Sequence, residues 1–147
     1  MKKFVSFLLL SLLSIACTQT QRTERHIAIS DGVSLSLAEY RKEHISNITY
    51  NLNFDVPSEV EKPIHSKLVL NFFLNSLENP VFIDFKEETN HLKKIVVNGS
   101  QIEINHTNEH IIIANSDLVK GKNTIAIDFL AGELSLNRNE DYLYTLL

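Results

Sequence analysis

Ile48-Thr49-Tyr50-Asn51-Leu52-Asn53-Phe54-Asp55 alternates apolar and polar residues without a break. Successive side chains of an extended chain point to opposite faces, so this spacing places Ile48, Tyr50, Leu52 and Phe54 on one face of a strand. The period returns downstream. Ile64, Leu68, Leu70, Phe72 and Leu74 repeat it, and Val69 and Phe73 add apolar groups on the other face, which predicts a strand buried on both sides. Pro57 to Pro63 forms a charged turn between the two runs, and Asn79-Pro80 ends the second. Val81, Ile83 and Phe85 start another strand. Ile95-Val96-Val97 and Ile102-Glu103-Ile104 flank Asn98-Gly99, a hairpin signal because both central positions need positive φ. Ile111-Ile112-Ile113 follows, then a turn over Leu118 to Asn123, then Ile125, Ile127 and Phe129; Tyr142, Tyr144 and Leu146 begin the last run. Some seven short strands separated by turns imply an all-β domain, an antiparallel sheet or sandwich.

Toward the N-terminus the pattern changes. Leu37, Ala38 and Tyr40 give a short apolar stripe, and Ser36-Leu37-Ala38-Glu39 has the form of a capping box, so a short helix is expected over 35–44. The folded sequence sets in around Asp31, and the domain proper covers 35–147. Thr18 to Arg25 is polar and aperiodic, so residues 17–34 are expected to act as a tether. Residues 1–16 have the order of a signal peptide: Lys2 and Lys3, then an almost wholly apolar run from Phe4 to Ala16. That run is shorter than the roughly 20 residues of a spanning helix. Leu13-Ser14-Ile15-Ala16-Cys17 resembles the lipobox of bacterial lipoproteins, with the leucine one place further from the cysteine than is usual. Cys17 is the chain's single cysteine, so it has no disulfide partner within the chain, and it is the expected site of lipidation. The alternative is an ordinary signal peptide cut nearby, leaving a free thiol. Lipid on Cys17 makes the membrane a partner and the cell envelope the location. The lack of an acidic run behind the cysteine favours a periplasm-facing anchor over the cell surface.

Composition excludes several functions. The net charge is −4 with no basic stripe, which argues against a nucleic-acid partner. Four glycines are spread over the chain without a phosphate-cradling loop, and no G-x-S-x-G elbow occurs. His106-Thr107-Asn108-Glu109-His110 matches H-x-x-E-H, an inverted zinc-protease motif. Zinc chemistry needs both histidines one turn apart on a helix. Here the pentapeptide lies between two β-runs and holds turn formers, so a hairpin loop without metal is expected. His26, His44, His65 and His91 stand singly, and Glu59, Glu61, Glu87 and Glu88 fall in charged turns. No catalytic, metal-binding or cofactor-binding residue is assigned. Asn47, Asn98 and Asn105 open N-glycosylation patterns that a bacterial lipoprotein leaves idle.

Leu118 to Ile125, Phe129-Leu130-Ala131-Gly132 and, most specifically, Leu136 to Leu146 resemble the N-terminal domain of the aminopeptidase N family of zinc metallopeptidases. Asn47 to Asp55, Val81 to Phe85 and Val96 to Gly99 are similar to earlier strands of that domain, so the likeness covers about 35–147. The resemblance implies a saddle-shaped β-domain that packs against a catalytic domain. The family's catalysis uses an H-E-x-x-H helix with a downstream glutamate and a G-x-M-E-N strand, none of which occurs here. Zinc and peptide substrates are thereby implied for a full-length parent, and this chain alone is expected to be inactive. Tyr142, Tyr144 and Leu146 are the candidate interdomain surface. Residues 142–147 form a strongly apolar end where domain termini are usually polar, so the domain is expected to be incomplete there. Two functions stand open: the N-terminal piece of a lipid-anchored metalloaminopeptidase, or a stand-alone lipoprotein whose β-surface binds peptide or protein.

Overall fold

The structure, a computed structural model, describes Ile27 and residues 29–132, 136–139 and 141–145. Helix α1 (Leu35–His44) covers the expected residues, but its cap is Ser34 and not the expected Ser36. Ser34 has extended backbone angles and accepts a hydrogen bond from the Leu37 amide through its side chain, while Ser36 is already helical and bonds Ser34 Oγ. Strand β1 (Ile45–Asp55) follows directly, then β2 (His65–Leu74), β3 (Val81–Asp84), β4 (Leu92–Val97), β5 (Ser100–Ile102), β6 (His106–Thr107), β7 (His110–Ile113), β8 (Gly121–Leu130), β9 (Leu136–Arg138) and β10 (Leu143–Thr145). The extra strands relative to the expected seven are pieces of two or three residues, too short to carry a period. All pairings are antiparallel. A five-stranded sheet has the order β1-β2-β8-β4-β5, a three-stranded sheet the order β3-β7-β6, and β9 and β10 form a separate ribbon. The domain is all-β and sandwich-like, with one short α-helix among the described residues.

The Asn98-Gly99 turn forms as its sequence requires, with φ of 49° and 90°. Strand β8 starts at Gly121, inside the stretch expected as a turn. The buried Asn123 explains why: its amide donates to the Val119 and Gly121 carbonyls and accepts from the Val119 amide and from Asn98 Nδ2. The turn's polar groups are satisfied inside the fold, so the strand can begin early.

Alternation then builds the layers. Leu68, Leu70, Phe72 and Leu74 of β2, Ile125 and Ile127 of β8, and Ile95 and Val97 of β4 face Val81, Ile111 and Ile113 of the smaller sheet. Phe82 and Ile112 point the other way, onto Leu37 and Tyr40 of α1 and onto Ile27 and Ile29. The stretch expected to be a tether through residue 34 therefore contributes a buried side chain at Ile27. Strand β2 is buried on one face only, a correction to the expectation of two. Val69 and Phe73 are exposed because the smaller sheet lies on the opposite side. Among the described residues no helix is long and apolar enough to cross a membrane.

Candidate functional site

The H-x-x-E-H pentapeptide is a tight hairpin. Asn108 and Glu109 take positive φ, 47° and 61°, at its tip, while His106 pairs with Ile111 and Thr107 with His110. Directly opposite residues share a face, so His106 lies on the face of Ile111 and His110 on the face of Thr107: opposite faces of the hairpin. The partners agree. His106 stacks edge-on with Phe85, and His110 with Phe82. His106 Nε2 donates to the Phe85 carbonyl at 2.9 Å, which leaves Nδ1 to accept from the Thr89 hydroxyl at 2.9 Å. His110 Nε2 donates to the Gly32 carbonyl at 3.0 Å. Among the described residues no group of three or more His, Cys, Asp or Glu side chains is placed to hold a metal ion. The hairpin tip instead grips the segment before α1: Asn108 Nδ2 donates to the Ile29 carbonyl and the Gly32 amide donates to the Glu109 carboxylate.

The chemistry that remains is apolar. A cleft of about 370 Å³ opens between the two sheets where the smaller one stops short of β1. Leu68, Leu70 and Phe72 form its floor, Val81, Ile83 and Phe85 one wall, and Ile48, Tyr50 and Leu52 the open side. Ile48, Tyr50, Leu52 and Phe54 do share one face, as their spacing predicts, yet they are 47%, 62%, 50% and 50% exposed. Register explains the link to the core: Tyr50 sits opposite Leu70 and Leu52 opposite Leu68, so β1 extends the core face beyond the layer that covers it. Alternation announces the face but is blind to whether a second layer reaches it. The spacing places these four residues on one face and does not mark them as a contact surface.

A polar group closes one end of the cleft. Arg41 of α1 holds Asp84 with two hydrogen bonds, 2.9 and 2.5 Å, and donates also to the Phe82 carbonyl. His110 Nδ1 lies 3.0 Å from Asp84 Oδ1. Partial burial works to raise the Asp84 pKa, but the hydrogen bonds and charge of Arg41, with His110, outweigh it and hold the carboxyl below its ordinary value. A carboxyl whose pKa is lower folded than unfolded stabilises the fold fully above its unfolded pKa. That contribution fades as pH falls through the folded value. Asp84→Asn should therefore cost stability at neutral pH and nothing in strong acid. Because the side chain is half exposed, the neutral loss should be about 0.2–1 kcal/mol. Urea midpoints of the two proteins that stay parallel down to low pH would show that the pair contributes nothing.

Of the residues singled out from sequence, Tyr142 and Tyr144 are exposed on and beside β10, and the β9–β10 ribbon is tied to the loop after β1 by Arg138, which donates to the Val60 and Lys62 carbonyls. Cys17 and Leu146 lie outside the described residues. The lining of the cleft beside the β1 face includes neither Tyr142 nor Tyr144. Comparison with protein-family models, with curated proteins and with solved structures found no match.

Proposed function

We propose that the chain is the N-terminal, non-catalytic domain of a lipid-anchored zinc metalloaminopeptidase, anchored through Cys17 and packed by its β-surface against a catalytic domain. The observation that carries the docking part is the uncovered apolar face of β1. Ile48, Tyr50, Leu52 and Phe54 continue the core face, and an apolar face of this kind marks a contact surface. The aminopeptidase part rests on the resemblance of Leu136 to Leu146 and the strands before it. Zinc, aminopeptidase activity and peptide substrates belong in this proposal to the parent enzyme, and Tyr142, Tyr144 and Leu146 to a second contact with its catalytic domain.

The test begins with the DNA downstream of the Leu147 codon, where an H-E-x-x-H helix should be encoded in some frame. Fused to or mixed with that product, the chain should form a stable complex with chelator-sensitive aminopeptidase activity, and alone it should release no amino-terminal residue. Activity of the chain alone would sink the proposal. Cys17→Ser should move the protein from the membrane fraction to the soluble one, and a mature-length variant that stays with the membrane would remove the lipid from the scheme. The cleft itself favours one second reading, a stand-alone lipoprotein that binds peptide, since its volume lies within the range of small-ligand sites. A downstream region without any H-E-x-x-H would make that the better one.

A further inference from the structure

Sheet edges differ sharply in this fold. The outer edge of the large sheet at β5 is three residues long, and the smaller sheet ends in β3 and β6, four and two residues long. Short edges are a common way of preventing strand pairing between proteins. Strand β1 breaks that pattern. It is an eleven-residue edge, paired on one side to β2 and on its other side to no strand among the described residues. From Ile45 to Phe54 it contains no charged residue and no proline, the two devices that most often blunt an edge. Its one irregularity, the left-handed Asn47 at the register shift between Ser46 and Thr49, sits near the start and leaves Thr49 to Asp55 in regular register.

This open edge carries the same four side chains that form the uncovered face. A rigid surface docked on Ile48, Tyr50, Leu52 and Phe54 would bury the side chains and leave the row of backbone N–H and C=O groups facing outward. Both demands are met together by an extended segment that adds to the sheet, because its backbone completes the ladder while every second side chain joins the apolar face. We infer that β1 accepts an added strand from the protein that covers its face: an extended segment with apolar residues at alternate positions and no charge among them. The absence of charge along β1 sets that last requirement, since a charged residue laid beside Tyr50 or Leu52 would be desolvated without a partner. The inference rests on the proposal that this face is a docking surface, and it specifies the secondary structure and chemistry of what docks.

The probe is a labelled peptide with the sequence of Ile48 to Phe54, which has the required alternation, added to the purified full chain. Two controls accompany it: the same peptide N-methylated at alternate amides along one edge, and a peptide of equal composition with its apolar residues grouped. Strand addition predicts at least tenfold weaker binding of both controls. It also predicts at least tenfold slower amide exchange in β1 when the alternating peptide is bound, with exchange in β8 unchanged. Leu52→Lys should abolish binding while β8 exchange reports that the variant remains folded. Equal binding of the N-methylated peptide would overturn strand addition and leave side-chain docking intact. Failure of the parent's catalytic domain to associate at all would instead overturn the docking proposal, whatever the peptide does. A dimer seen in sedimentation, dissolved by Leu52→Lys and refusing the peptide, would overturn the inference in favour of a second copy of this chain.

Discussion

Replacing His110 with alanine is expected to destabilise the domain by about 2–4 kcal/mol, one of the largest losses available from a single polar side chain here. The ring is 1% exposed and packs against Phe82 of the neighbouring strand. Its removal opens a cavity between the smaller sheet and the segment before α1, deprives the Gly32 carbonyl of its donor, and leaves Asp84 with Arg41 alone. None of these losses is repaired easily, because Ile111 and Ile113, which follow His110 in the same strand, are fixed in the main core. Urea unfolding at neutral pH measures the effect, and a loss under about 0.5 kcal/mol would show that the N-terminal segment is not held through this ring. His106→Ala should cost less, since that ring is only partly buried. Purified chain should carry no stoichiometric zinc before or after either change. Near-stoichiometric metal abolished by His110→Ala would mean that the two rings meet somewhere other than on opposite faces of this hairpin.

The histidine pair also shows what was legible beforehand. That the pentapeptide turns between strands was readable, because Thr107 and Asn108 disfavour a helix and β-runs stand on both sides. That His110 is a buried structural residue was not readable, because its partners, Gly32 and Asp84, come from segments far away in sequence. The same division holds elsewhere. The Asn98-Gly99 hairpin, the helix over 35–44 and the long alternating strands follow from local rules of φ and period. The capping-box pattern points to Ser36, because only that serine has a glutamate three residues on, whereas the backbone angle and the bond to the Leu37 amide put the cap at Ser34. The exposure of Val69 and Phe73 was missed because a strand with apolar residues on both faces reads the same whether one layer or two cover it. Tertiary layering decides such cases, and a period carries no information about it.

The other large effect is expected on the β1 face, and it should appear in binding and not in stability. Tyr50→Ser with Leu52→Ser removes two side chains that are more than half or half exposed, so the urea midpoint should move little, within about 1 kcal/mol for the pair. Leu70→Ala, directly opposite Tyr50 and buried, should cost about 2–5 kcal/mol by contrast. The two sites occupy one continuous face, so this difference isolates coverage by the second layer as the variable. An apolar dye such as ANS should bind the native chain at the cleft, whose floor and open side are lined by Leu68, Phe72, Ile48 and Leu52. The double serine variant should lose most of that fluorescence while keeping the cooperative unfolding of the parent protein. A covering partner should quench the dye to the same degree, because it occupies the same apolar surface. Should the double variant instead unfold readily, β1 would be contributing to the core as it stands, and its face would need no partner. Should dye binding be absent in the native chain, Ile48, Tyr50, Leu52 and Phe54 are already covered in solution, and sedimentation would then decide whether a second copy does the covering.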